Sequence, residues 1–305
     1  MLLLQQMIVL FILMLIGYYV SKKGFITDAT FKQLSWIVVY VACPAMVISG
    51  SVNSGKMIEG KELFSTMGLT LLIYAVLILI AFVTPVLLGV AKEDRGVYKV
   101  MMIFSNIGFM GFPLVGSIYG ADALLYAALF QIPFNVLIYT YGILVLKKKT
   151  DDNEKLDLKK ILNIGVICCI ISIVIAIFQI ETPTFVKTTV SNLSNLTAPL
   201  SMMVIGASLT KIKFKDLFTD VRLLLFCGLK LLVIPVVMLL ILKQFIDSDM
   251  VLGVCMVVLS TPVASMTAML AQQYDGNYAL ASRGVAVSTI LSVITMPIVA
   301  MITGL

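Results

Sequence analysis

Apolar stretches long enough to cross a lipid bilayer follow one another from end to end of this 305-residue chain, separated only by short polar runs. A bilayer core about 30 Å thick takes about 20 apolar residues per helix. Ten such stretches can be read, near residues 3–21, 33–50, 63–90, 98–118, 121–146, 161–179, 192–210, 222–243, 250–272 and 278–304. Only 12% of the residues are charged, against 60% hydrophobic. A soluble domain needs roughly a quarter of its residues charged to cover its surface. The sequence therefore predicts an all-α polytopic membrane protein with ten transmembrane helices. The third stretch exceeds a perpendicular crossing and is expected to tilt or to extend into the interface. The longest connection is a linker at 147–160.

The basic residues sit at the ends of these spans and report orientation. The loops after spans 1, 3, 5, 7 and 9, with their flanks, hold 17 of the 22 lysines and arginines: Lys22, Lys23, Lys32, Lys92, Arg95, Lys99, Lys147, Lys148, Lys149, Lys155, Lys159, Lys160, Lys211, Lys213, Lys215, Arg222 and Arg283. The opposite loops hold Lys56, Lys61, Lys187 and Lys243, and Lys230 alone lies well inside a span. The positive-inside rule makes the first set cytoplasmic, with 147–160 a cytoplasmic linker and both termini extracytoplasmic, in the inner (plasma) membrane. A net charge of +6 confined to loops gives no surface for nucleic acid.

Chemistry is narrowed by what the chain lacks. It has no histidine, and its five cysteines (Cys43, Cys168, Cys169, Cys227 and Cys255) all fall within apolar runs. Neither a zinc site nor a disulfide framework is indicated, and no cofactor is expected. All 16 acidic residues lie in loops or at span ends, including Asp122, Glu181, Asp275 and the Lys92-Glu93-Asp94-Arg95 cluster. A cation exchanger normally needs carboxylates within the membrane. A membrane enzyme would need a nucleophile with a base, a metal cluster or a carboxylate dyad, so the chain is not expected to be an enzyme.

Ten spans divide into two sets of five that enter the membrane in opposite senses, residues 1–146 and 161–305. Span 2 carries Leu34-Ser35 and Cys43-Pro44-Ala45-Met46-Val47-Ile48-Ser49-Gly50, and span 7 carries Leu193-Ser194 and Ala198-Pro199-Leu200-Ser201-Met202-Met203-Val204-Ile205-Gly206. Span 4 carries Ser105-Asn106-Ile107-Gly108-Phe109-Met110-Gly111-Phe112-Pro113, and span 9 carries Ser260-Thr261-Pro262-Val263-Ala264-Ser265. Asn106 and Pro262 each stand 14 positions before the glycine that closes their span, Gly120 and Gly276. Helix breaks are expected at Asn106, Gly108, Pro113 and Pro262, because proline removes one backbone hydrogen bond and obstructs another. Freed backbone groups survive at membrane depth only against protein or a water-filled cavity. Matched broken spans in inverted halves point to the substrate site of a secondary transporter.

At these residues the chain resembles the auxin efflux carrier family, which includes plant auxin carriers and bacterial permeases for dicarboxylates such as malonate and malate. The likeness runs through Ser105 to Leu114, Leu196-Thr197-Ala198-Pro199-Leu200, Ile205-Gly206-Ala207-Ser208-Leu209, Thr261-Pro262-Val263-Ala264 and Ala271-Gln272-Gln273-Tyr274, in the same span order over essentially the whole chain. The resemblance implies a 5+5 inverted repeat with crossed, broken helices 4 and 9. It implies a scaffold of spans 1, 2, 6 and 7 that forms a homodimer, and a transport unit of spans 3–5 and 8–10. It also places Asn106 and Pro262 at the crossing and turns Gln131 towards the substrate. Plant members have a proline before the asparagine where this chain has Ser105, so a gentler break is expected in span 4. Their long cytoplasmic loop is missing here.

The two helix starts at the crossing would present unpaired amides to an anion without a charged side chain. Asn106 and Gln131 add amide groups, Asn135 lies one turn beyond Gln131, and Ser105, Thr261 and Ser265 add hydroxyls. Ser288 and Ser292 are weaker candidates. Each has an ordinary alternative as a helix-to-helix hydrogen bond, worth around 0.6 kcal/mol. Lys230 is a candidate counter-charge or a group that titrates during transport, or else a side chain that snorkels to the basic edge near Arg222. The expected function is secondary transport of a small organic anion, a mono- or dicarboxylate, by alternating access. A sodium-coupled symporter of the bile-acid type and a non-transporting sensor or assembly subunit stand as alternatives.

Overall fold

A computed structural model describes residues 2–53, 60–146, 163–210, 219–274 and 276–305. The linker at 147–160, Asp275, Lys56 and the lysines at 211, 213 and 215 lie outside the described residues. Among the described residues the regular structure is helical throughout. The helices are α1 (Leu2–Lys22), α2 (Asp28–Val52), α3 (Gly60–Leu87), α4 (Arg95–Ile103), α5 (Ile107–Tyr119), α6 (Ala121–Leu146), α7 (Ile164–Phe178), α8 (Thr184–Ser194), α9 (Thr197–Leu209), α10 (Val221–Leu242), α11 (Asp249–Ser260), α12 (Ser265–Gln273) and α13 (Tyr278–Thr303).

Six of these are long and apolar enough to cross a membrane: α1, α2, α3, α6, α10 and α13. They coincide with the first, second, third, fifth, eighth and tenth stretches read from sequence. At the remaining positions the chain forms shorter helices. The fourth stretch is α4 followed by α5, the ninth is α11 followed by α12, and the sixth is α7. The seventh starts earlier than its apolar run at 192, because α8 begins at Thr184 and only the link at Asn195 and Leu196 separates it from α9. Helix α8 carries Thr184, Lys187, Thr188, Thr189 and Ser191, which kept it out of a hydropathy reading.

The side-chain distribution is that of a protein dissolved in hydrocarbon. Helix α3 exposes Leu71, Leu72, Leu79, Phe82, Val83 and Leu87 and buries Thr66, Thr70, Ala81 and Thr84. Buried hydroxyls in such a helix are accommodated by donating back one turn. Thr70 Oγ1 donates to Thr66 O at 2.8 Å and Thr84 Oγ1 to Ile80 O at 2.8 Å. Helix α13 does the same with Thr289 and Thr303, both onto carbonyls four residues earlier. Helix starts are capped locally. Asn163 Oδ1 accepts from Val166 N–H, Asp220 Oδ1 from Arg222 and Leu223 N–H, and Asn277 Oδ1 from Leu280 N–H.

Prolines within helices widen turns as well as break them. In α2 the Cys43 amide reaches five residues back to Val38 O, immediately before Pro44. Phe112 reaches Ile107 O before Pro113 in α5, and Ile234 reaches Leu229 O before Pro235 in α10. The proline ring presses on the carbonyl four residues earlier, and one wide turn relieves that contact while the helix continues. Gly108 and Pro113 therefore lie inside α5, and the interruption of the fourth stretch is confined to Phe104, Ser105 and Asn106.

Two close helix pairs organise the remainder. Helix α1 packs along α9, and α7 packs along α2. At the first contact Gly17 faces the Met203 backbone and Gly206 faces the Met14 carbonyl, with no room for a side chain at either. Hydroxyls join both pairs: Ser21 Oγ with Thr210 Oγ1 at 3.1 Å, and Ser172 Oγ donating to Val47 O at 2.9 Å.

Candidate functional site: a crossing of two extended segments

Helix α4 ends at Ile103 and α11 ends at Ser260, and the extended segments that follow them meet in antiparallel sense. Ser105 and Val263 stand opposite each other. Asn106 N–H donates to Pro262 O at 2.8 Å and Ala264 N–H donates to Phe104 O at 2.9 Å. Pro262 has no N–H to contribute, but its carbonyl is one half of this pair of bonds. Asn106 turns the chain tightly into α5, with φ −79°, ψ 64° and Ile107 N–H returning to Ser105 O at 2.9 Å. That is an inverse γ-turn.

Because the two segments run antiparallel, α5 and α12 both begin at this point while α4 and α11 both end there. Helix starts carry unpaired amides and a partial positive charge, and helix ends carry unpaired carbonyls and a partial negative charge. The carbonyl side is largely satisfied. Thr261 N–H returns to Val257 O and Thr261 Oγ1 to Val258 O. Lys230 Nζ, from α10, donates to Met102 O at 3.1 Å and to Ser105 Oγ at 3.0 Å. The amide side is not. Val263 N–H is taken up by Ser288 Oγ of α13 at 3.1 Å, but among the described residues Gly108 and Phe109 in α5, and Ser265 and Met266 in α12, have amides with no acceptor.

The sequence-derived candidates separate on this geometry. Asn106 is 4% exposed, and its Nδ2 is buried without a hydrogen-bond partner. Gln131 Oε1 is likewise buried and unpartnered. Gln131 lies one turn before Phe134, whose ring packs edge-on against Phe104 with centroids 5.3 Å apart, so it shares the face of α6 nearest the crossing. Ser265 is half-buried at the first position of α12. Asn135, by contrast, has both polar atoms of its side chain engaged. Its Nδ2 donates to Gln131 O at 2.8 Å and its Oδ1 accepts from Asn163 Nδ2 at 2.9 Å. Ser292 Oγ donates within α13 to Thr289 O.

Three neighbours of the crossing were not singled out from sequence. Met102 offers a carbonyl, and Val263 an amide, that any residue could supply. Cys43 Sγ, in α2, donates to Gly108 O at 3.4 Å and so stands at the start of α5; its position one before Pro44 was the available signal. Ser288 was a weak candidate and proves to hold the break open. Its replacement by alanine is expected to leave Val263 N–H buried without an acceptor, at about 1–3 kcal/mol, read as a lower thermal unfolding midpoint. Asn135→Ala is expected to lower that midpoint by unpinning α6 from Asn163, without changing the concentration dependence of ligand binding at the crossing.

The sequence matches the membrane transport protein family over residues 2–160 and 151–300, the whole length of the chain. The chain belongs to that family, the auxin efflux carrier family whose motifs it resembles. It is 25% identical to an uncharacterised transporter of Methanocaldococcus jannaschii over 301 residues, covering 95% of each chain. It is 21% identical to an uncharacterised transporter of Methanothermobacter thermautotrophicus over 287 residues, covering 94% of each. Membership together with the apolar helices makes this a multi-pass membrane transporter.

Proposed function

We propose that this transporter carries a small organic anion, a mono- or dicarboxylate, bound where α5 and α12 begin. One observation carries the reading. Two helix starts leave four backbone amides unpaired at either end of one backbone pairing, and Asn106 Nδ2, next to the start of α5, is buried with no partner in the protein. A carboxylate can accept up to about four such bonds, and an anion at a helix start also gains from the dipole. The absence of acidic residues from the interior of the spans favours an anionic substrate over a cationic one.

In this reading the chain forms ten membrane spans as a 5+5 inverted repeat, with α4–α5 and α11–α12 as its broken, crossed fourth and ninth members. The packing of α1 along α9, repeated by α7 along α2, is the relation expected when spans 1 and 7 exchange with spans 6 and 2. Helices α1, α2 and α7–α9 serve as scaffold and dimer contact, with α3–α6 and α10–α13 as the moving unit. Alternating access then carries the crossing from one side of the membrane to the other. Both termini lie outside the cytoplasm of the inner (plasma) membrane, as the distribution of lysine and arginine requires.

The test is reconstitution of the full chain in liposomes. It uses uptake of radiolabelled acetate, malonate and malate, with and without a pH gradient and with sodium replaced by potassium. Saturable carboxylate uptake that survives the loss of sodium is expected. Uptake that vanishes without sodium would move the protein to the sodium-coupled symporters. Carboxylate binding without flux would make it a sensor.

A further inference from the structure

We infer that Lys230 supplies a positive charge to the anion bound at the crossing, and this inference rests on the anion reading above. Lys230 sits in the wide turn of α10 at 3% exposure, and its ammonium group reaches the interrupted segment of the fourth span. It therefore does not run back to the basic edge at Arg222. Two of its three N–H groups are used, on Met102 O and Ser105 Oγ, and among the described residues the third has no acceptor. No carboxylate stands against it among the described residues, and the titratable group beside it is the thiol of Cys227 on the same helix.

A buried charge without a counter-ion is costly, and at membrane depth it is retained when it has work to do. The Met102 carbonyl gives it partial compensation, because that carbonyl belongs to the negative end of α4. An anion at the crossing would complete that compensation and keep the amine protonated. Ser105, which holds the lysine, is adjacent to Asn106, whose side-chain amide is also unpartnered. The lysine charge thus stands against the interrupted segment that carries Asn106 and leads into α5. Lys230 is a specificity-determining residue for negative charge, where the amides alone would accept any acceptor group.

The experiment measures thermal stabilisation of the purified full chain by acetate, malonate and malate over a concentration series. It compares wild type with Lys230→Met, with Lys230→Ala, and with Lys230→Gln, which keeps a donor for Ser105 and serves if the other variants do not fold. The expected result is a folded variant whose half-maximal carboxylate concentration rises at least about tenfold. Primary n-butylammonium, but not n-butanol, is expected to recover part of that loss in Lys230→Ala. Wild-type and neutral variants with the same half-maximal concentration would overturn the role of the lysine and leave the amide site standing. A wild type that no carboxylate stabilises would overturn the anion site itself, and the lysine's role with it.

Discussion

Asn106→Ala is expected to abolish or greatly weaken carboxylate uptake in liposomes while leaving the protein folded. The side chain makes no hydrogen bond to the protein that alanine would forfeit, and the structural bonds at this position are made by the backbone. Asn106 N–H to Pro262 O and the two amides returning to Asn106 O are available to any residue that adopts the same turn. What is lost is a donor to a charged ligand, worth about 1.5–3 kcal/mol, or about one to two powers of ten in affinity. Size-exclusion profile and unfolding midpoint should match wild type. Wild-type flux in this variant would remove Asn106 from the site.

Gly206→Val should fail at the level of folding. A Cβ on Gly206 would collide with the Met14 carbonyl and stand 2.8 Å from Tyr18 N, atoms of the α1 backbone that cannot rotate away. Small residues let membrane helices approach until backbones touch, and van der Waals packing supplies much of the association there. Overpacking at a well-fitted position costs about 1–3 kcal/mol, and here the whole α1–α9 contact must open to admit the side chain. The expected outcome is loss of monodisperse protein after detergent extraction. Gly68→Ala is the control: nothing lies within 4 Å of its Cβ position on the exposed side of α3, so it should extract and unfold like wild type. Normal yield of Gly206→Val would contradict the tight crossing of α1 and α9.

Much of this arrangement was legible because hydrocarbon solvent writes directly into sequence. Six apolar runs reappear as the six long helices, since a helix facing lipid must be apolar along its length. The interruptions were legible too. Asn106 and Pro262 stand out as polar or ring-constrained residues in the middle of apolar spans, and helix geometry stops at both places. Pro44, Pro113 and Pro235 gave the same local signal, yet the chain absorbs each in one wide turn. Composition alone does not distinguish the two responses, because the outcome depends on what the neighbouring helix offers the displaced backbone groups.

The remainder depended on contacts between distant residues. Lys230 reads equally as a site charge or as a snorkelling edge residue until Met102 and Ser105, more than 120 positions earlier, are seen beside its ammonium. Asn135 has the spacing of a site residue, but Asn163 claims its side chain. Helix α8 is too polar to register as a span, although it leads into α9 with only two intervening residues.

The central claim is that backbone amides at two meeting helix starts hold the substrate, and solid-state NMR measures this directly. The protein would be labelled with 15N and reconstituted with a carboxylate that it transports, labelled with 13C at the carboxyl carbon. Dipolar couplings from that carbon to the amide nitrogens of Gly108, Phe109, Ser265 and Met266 are the expected result, and they should disappear on addition of excess unlabelled carboxylate. Couplings confined to other residues, while flux persists in the same vesicles, would contradict it.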